Sequence, residues 1–464
     1  MKEISCKLLV IGAGPGGYAC AIRAGQLGID TVIVEAAKPG GTCLTIGCIP
    51  SKALIHAAEV FDATRQMAGG RNAMGIRVDP PSIDLAGTMA WKDGIVGRLT
   101  SGVSGLLQKA RVKIVSGRAR FRDGKTVEVE TETGQQIVRA ETVVIATGSD
   151  PVELAALPFG GRVISSTEAL SLRQVPNRLI VVGGGYIGLE LGTAFTKLGS
   201  DVTVVEATAQ ILPIYDADLV KPVTRRLTER GITVFTNTKA IGLSENGDAL
   251  VVEGPDGRQE LPADHILVAV GRRPRSVGSG LEDLDLDRSG PYLRIDDRCR
   301  TSMRGVYAIG DVTGEPMLAH RAIAQGEMVA EIVAGKKRAW DKRSIPSICF
   351  TDPEIVSAGL SLSEARAQGY EVKVGQFPFT ANGRAMTMQD EDGFVRIVAR
   401  ADTNLVLGLQ AVGSGVSELS AAFSLAIEMG TRLEDIAGTI HVHPTRSEAL
   451  QEAALKAMGH ALHI

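Results

Sequence analysis

Lys7-Leu8-Leu9-Val10-Ile11-Gly12-Ala13-Gly14-Pro15-Gly16-Gly17 is an apolar run that ends in clustered glycines. Such a run reads as a buried strand, and the glycines mark a tight turn into a helix. Their spacing is G-x-G-x-x-G. Gly12 permits the turn, Gly14 lets a pyrophosphate approach the backbone, and Gly17 lets the helix pack closely on the strand. The helix N-terminus then faces the phosphates. A second strand-like run, Asp30-Thr31-Val32-Ile33-Val34-Glu35, ends on a carboxylate that can accept from ribose hydroxyls. The glycines alone are a weak signal, but strand, helix and acid in register make a strong one.

The pattern recurs further along the chain. RLIVVG leads into Gly183-Gly184-Gly185-Tyr186-Ile187-Gly188, and DVTVVE ends at Glu206. From Gly12 to Glu35, and from Gly183 to Glu206, the separation is 23 positions, and the two copies are offset by 171. Each copy also closes alike, on TVVIATGSDP with Thr147 and Gly148, and on HILVAVGRRP with Gly271. These features predict an internal duplication and two dinucleotides per chain. Glu206 would repel a 2′-phosphate, and no Lys or Arg occurs between it and Lys221, so the second site is expected to take NAD rather than NADP.

Composition narrows the class. Fifty-four of 464 residues are glycine, well above the usual ~7%. Without a G-X-Y period they must serve turns and close backbone approaches. Fifty basic residues against 53 acidic ones, with 4% aromatics, give no basic surface or stacking platform for nucleic acid. No apolar run reaches the ~18 residues that span a bilayer. The uncharged stretch from Leu8 to Ile22 follows two lysines and could be read as a secretory signal, but it is also the strand and helix of the first fingerprint. The latter reading is favoured, with a cytoplasmic location.

The longer first copy carries the candidate chemistry. Eight residues after Glu35 comes Cys43-Leu44-Thr45-Ile46-Gly47-Cys48, followed by Ile49-Pro50-Ser51-Lys52 and an apolar-periodic helix. Pro50 suits a first helical turn, so Cys48 is expected near a helix N-terminus, where the dipole stabilises a thiolate. Lys52 adds positive charge four residues on. Buried thiols and half of a zinc site are the other readings. Zinc usually needs a second ligand cluster, and the sequence has no second close cysteine pair. A redox-active disulfide is favoured. Because nicotinamide does not readily exchange hydride with a disulfide, a flavin is expected between them. That places FAD in the copy holding the cysteines and NAD in the other.

GGTCLTIGCIPSK (Gly40 to Lys52) resembles the active-site motif of the flavin-dependent pyridine nucleotide–disulfide oxidoreductases, and the likeness extends over essentially the whole chain. Within that family it is most similar to the members that oxidise dihydrolipoyl groups. The resemblance implies that Cys43 exchanges with substrate, that Cys48 faces the flavin, and that Lys52 and Glu190 pair near flavin N5. It implies flavin contacts for Asp311 and for the backbone at Ala319, in YAIGDVTGEPMLAHRA; Asp311 read alone is a turn residue after a strand. His320 is expected to be structural. HPTRSE (His443 to Glu448) is similar to the family's HPTxSE segment, which makes His443 the base and Glu448 its orienting partner, acting on the other subunit of a homodimer. His441 and His443 lack a further ligand cluster, so no metal site is expected. Tyr186 is read either as a cover over the flavin or as a packing residue. Thr45 and Arg275 depart from the family pattern, each standing where asparagine is usual.

The expected fold class is α/β, with two Rossmann-like domains for FAD and NAD and a C-terminal α+β dimerisation domain. The expected boundaries are 1–150 for the FAD domain, 151–271 for the NAD domain, 272–345 for a central domain completing the flavin site, and 346–464 for the interface domain. The partner implied is the lipoyl domain of an acyltransferase (E2) subunit of a 2-oxoacid dehydrogenase complex, or the glycine cleavage H protein. Another FAD-dependent disulfide reductase of the family, or a non-catalytic NAD-binding complex subunit, are the alternative functions.

Overall fold

The strand of the first fingerprint runs Lys2–Ile11 and lies in the parallel part of a mixed sheet. A computed structural model of the chain describes residues 2–69 and 72–464. On one side the strand pairs with Thr31–Glu35, which pairs in turn with Lys113–Ser116; on the other it pairs with Gly134–Ile145. Leu8, Leu9 and Val10 have no exposed surface, as expected for a parallel strand covered on both faces. Gly134–Ile145 also takes the strand Val306–Ala308 alongside it, so the chain returns to this sheet after leaving it. Helix Pro15–Gln26 follows the glycine turn, with proline in its first turn, and packs against helix Ala319–Val333. The stretch weighed above as a secretory signal is therefore a central strand and a core helix.

The second sheet repeats the arrangement. Its order is Thr233–Phe235, Asp201–Val205, Arg178–Val182, His265–Val268 and Val163–Ile164, all parallel. An antiparallel three-stranded sheet, Lys239–Leu243, Ala249–Gly254 and Gly257–Pro262, is inserted before the closing strand. The last part of the chain forms a five-stranded antiparallel sheet in the order Ser347–Cys349, Glu354–Gly359, Val406–Gly413, Phe394–Arg400, Val372–Pro378. Helix Glu448–Ala457 packs on Val372–Pro378, and helix Ser420–Met429 packs on Glu354–Gly359. VLGLQAVG, within the expected LVLGLQAVG, is the central strand, and FVRIVAR lies beside it.

Charged residues tie these units together. The Arg230 guanidinium donates to Asp62 at 2.7 Å and to Asp352 at 2.6 Å, while Lys197 lies 3.1 Å from the same Asp352. Asp62 belongs to helix Cys48–Ala68, Lys197 to helix Tyr186–Leu198, and Asp352 precedes strand Glu354–Gly359. Asp62 and Lys197 are buried, so this is a desolvated network whose members depend on one another. The helical stretch Gly41–Ala68 is long and apolar enough by composition to cross a membrane. Here it packs between helices Tyr186–Leu198 and Leu85–Lys109.

Candidate active site

The two glycine turns are built alike down to single hydrogen bonds. Gly12 and Gly183 have φ of 99° and 108°, and a Cβ on either would run into the carbonyl of Ala146 or Ala269. Glu35 accepts from the Ala13 amide at 2.6 Å and the Ala37 amide at 2.8 Å. Glu206 accepts from the Gly184 and Thr208 amides, each at 2.7 Å. All these partners keep the offset of 171 seen in the sequence. Neither following helix carries an acid in its first turn, which leaves the N-terminal amides free for an anion.

A cavity of about 1080 Å³ extends from the first turn to the cysteine pair. Gly12, Gly14, Gly17, Glu35, Cys43, Cys48, Lys52, Thr147, Gly148, Tyr186, Glu190, Asp311 and Ala319 all line it. Gly183, Gly185, Gly188, Glu206, Gly271, His443 and Glu448 do not. Asp311 sits on a 3-10 turn, Gly310–Thr313, one step beyond the strand that the sequence suggested. Its carboxylate accepts from the Ser149 hydroxyl at 2.5 Å, and that hydroxyl accepts from Arg272 Nε at 2.8 Å. Ala319 opens its helix. An elongated cavity with bare backbone at one end, a fixed acid for a ribose near it, and thiols beyond fits FAD. The second turn, with Glu206, fits NAD.

Both cysteines are free thiols. Cys48 is the first residue of helix Cys48–Ala68, and Cys43 lies in the short helix Gly41–Ile46. Cys48 is exposed and lines the cavity. A hydrogen bond from the Cys43 thiol lowers its pKa to about 7; burial opposes this, and Lys52 reinforces it. The Cys43 thiol moves the other way, because it holds the shared proton and is itself buried. The four lone cysteines, at positions 6, 20, 299 and 349, are buried, and burial pushes each of them up to about 12.

Lys52 Nζ lies 2.7 Å from Glu190 Oε2, and Glu190 is 3% exposed. The other oxygen, Oε1, accepts from the Phe350 amide at 2.9 Å, while the Phe350 ring lies 4.5 Å below the Lys52 ammonium. Sequence reasoning paired Lys52 with Glu190 but missed Phe350, which carries no motif. Ser149 and Arg272 were missed as well, although both flank glycines that were singled out. Burial raises the Tyr186 phenol, and Glu190 adds to the effect.

His443 Nδ1 lies 2.8 Å from Glu448 Oε1, and Glu448 Oε2 accepts from the Thr445 amide at 2.7 Å. Partial burial works against Glu448, yet the Thr445 amide and the His443 ring hold it below the usual carboxylate range. The His443 side chain is 80% exposed and does not line the cavity that holds the thiols of its own chain. Asn382 Nδ2 and Arg446 brace this loop by donating to the Thr445 and Asp390 carbonyls, both at 3.1 Å. His441 bonds the Thr439 carbonyl and His320 the Pro346 carbonyl. Among the described residues no cluster of three metal-ligating side chains occurs. Thr45 donates to the Gly41 carbonyl at 2.7 Å, and Arg275 pairs with Asp150 at the cavity edge.

Two nucleotide turns flanking a thiol pair define a nicotinamide- and flavin-linked thiol oxidoreductase. Residues 6–326 match the family model of the pyridine nucleotide-disulphide oxidoreductases, and residues 345–454 match that family's dimerisation domain. The chain belongs to this family and uses FAD and NAD. It is 59% identical to a dihydrolipoyl dehydrogenase of Pseudomonas aeruginosa, with 99% of each chain covered. A second relative, dihydrolipoyl dehydrogenase 2 of Haloarcula marismortui, is 48% identical over 98% of each. Among solved structures, LpdA from Mycobacterium tuberculosis superposes with a TM-score of 0.89 at 28% identity, covering 98% of this chain and 100% of that one.

Proposed function

We propose that the protein oxidises dihydrolipoyl groups carried on a partner protein and reduces NAD⁺, acting as the dihydrolipoyl dehydrogenase of a multienzyme complex. The observation that carries this is the pair Cys43–Cys48 at a helix N-terminus, with one thiol lowered and one raised, opening onto the flavin-shaped cavity. The full-length likeness to dihydrolipoyl dehydrogenases supports the choice of substrate.

In the oxidised enzyme the two sulfurs form a disulfide. His443, oriented through Nδ1 by Glu448, takes a proton at Nε2 from one substrate thiol. The resulting thiolate attacks Cys43, the Cys43–Cys48 bond breaks, and Cys48 leaves as thiolate beside Lys52. The second substrate thiol then attacks the mixed disulfide. It releases oxidised lipoyl and leaves Cys43 as a thiol that shares its proton with Cys48. The buried Glu190 keeps Lys52 aimed at this end of the cavity, where its charge favours the Cys48 thiolate. Bound FAD supplies the two-electron chemistry that restores the disulfide at the expense of NAD⁺. Glu35 and Glu206 are placed to hold the two adenosine riboses, and Asp311, fixed by Ser149, to meet the flavin side chain.

His443 is exposed and outside the thiol cavity of its own chain, so in this reading a second copy completes the site; the match to the dimerisation domain supports it. The acyltransferase lipoyl domain or the glycine cleavage H protein is the partner we assign, in the cytoplasm. The four-part division at 150, 271 and 345 belongs to the same proposal, with Val306–Ala308 returning the central segment to the flavin sheet. An assay of the purified holoenzyme with dihydrolipoamide and NAD⁺ tests the reading. Turnover supports it, whereas turnover only with glutathione disulfide and NADPH overturns it.

A further inference from the structure

Helix Glu448–Ala457 carries a second glutamate, Glu452, one turn beyond Glu448, and it too pairs with a histidine from outside the helix. Glu452 is 5% exposed, and both of its oxygens are engaged by the C-terminal tail. His463 Nδ1 lies 2.6 Å from Oε1, and the Leu462 amide donates to Oε2 at 3.2 Å. No other hydrogen-bond partner for this carboxylate occurs among the described residues, so a detached tail would leave a buried charge unpaired. Glu448 and Glu452 share one helix face, about 6 Å apart along the axis. His463 is close enough to Glu448 that its charge joins those of the Thr445 and His443 contacts in holding that carboxyl down, against partial burial. The tail held this way exposes Leu462 and Ile464, and the loop beside it exposes Ile440 and Val442.

We propose that His463, anchored by buried Glu452, is a positioning residue for the reaction: it pins the tail along the catalytic helix and sets an apolar margin of Leu462 and Ile464 next to the His443–Glu448 pair. The margin suits the aliphatic part of a dithiol, which a charged tripeptide disulfide does not share. Within one chain the first pair supplies the base and the second fixes the wall beside it. This inference rests on the proposed function and deepens it.

The test uses the FAD-loaded dimer and two reactions, NAD⁺-dependent oxidation of dihydrolipoamide and NADH-dependent reduction of ferricyanide, which does not need His443. For His463→Ala, KM for dihydrolipoamide rises about fivefold, the loss of one hydrogen-bonded contact, with kcat changed less than twofold. The ratio of dihydrolipoamide to ferricyanide turnover at low substrate falls by the same factor. His463→Asn, whose amide nitrogen can occupy the Nδ1 position, recovers most of the loss. An unchanged KM in His463→Ala, an equal fall in both reactions, or no rescue by asparagine overturns the inference. If the unaltered enzyme turns over ferricyanide but not dihydrolipoamide, the proposed function fails instead.

Discussion

Cys48 takes its chemistry from three neighbours acting in opposite senses. The Cys43 hydrogen bond and the Lys52 charge lower the thiol, and burial raises it; the first two prevail, leaving it at about 7 against an ordinary 9.0. A lowered acid favours the deprotonated state on folding. Its contribution to the stability of the reduced enzyme is therefore full above pH ~9 and lost as the pH falls through ~7. Thiolate absorbance of the reduced protein should titrate with a midpoint near 7, and Lys52→Met should move that midpoint upward. The same substitution removes the ammonium from buried Glu190, leaving the Phe350 amide as its remaining partner. With Lys52 one-third exposed, the cost should be about 1–3 kcal/mol, read from denaturant melts. A Ser149→Ala chain should retain FAD less well, because Asp311 then loses the hydroxyl that orients it; fluorescence of released flavin measures this.

Helix Cys48–Ala68 is where chemistry and scaffold meet. Its start holds Cys48 with Lys52 one turn on, and its last part holds Asp62, which accepts from Arg230 and Arg65. Burial opposes ionisation of Asp62, yet the two guanidiniums keep it below the usual range. Arg230→Met leaves Asp62 to Arg65 and Gln66 and Asp352 to Lys197, removes the charge that bridges the two carboxylates, and should destabilise the protein by about 2–4 kcal/mol. A calorimetric scan should show the loss. Because the same arginine ties the redox helix to the NAD-side helix and to the C-terminal sheet, the melting transition should also broaden.

At the scale of the whole molecule, the proposed function splits each catalytic set between chains. Cys43→Ser and His443→Gln chains should each be inactive alone on dihydrolipoamide. Refolded or coexpressed as a mixture, they should regain about one quarter of wild-type activity, since half the dimers are hybrids with one intact site of two. No recovery would mean that His443 serves its own chain. Glu206 accepts from the Gly184 and Thr208 amides and is nearly buried, which in the proposed function fixes a carboxylate at the second ribose. Kinetics with NADP⁺ should therefore show kcat/KM at least ~100-fold below NAD⁺, the cost of placing a phosphate against a carboxylate.

The sequence by itself determined the two nucleotide turns, the strand and acid that follow each, and the thiol pair at a helix start. These are readable because strand pattern, glycine turn and helix dipole act over fewer than thirty consecutive residues, and the offset of 171 repeats them. HPTRSE was readable on the same ground, with His443 and Glu448 five positions apart. Only the tertiary structure decided that Phe350 supports Glu190 from 160 positions away, that Ser149 fixes Asp311 across 162, and that Arg230 joins three units. It also decided that Val306–Ala308 returns to the first sheet, and that His443 lies outside the cavity lined by Cys43. Such partners are selected by burial. A carboxylate or hydroxyl taken out of water must be satisfied by whatever group packing brings within reach, and no local pattern records which group that will be.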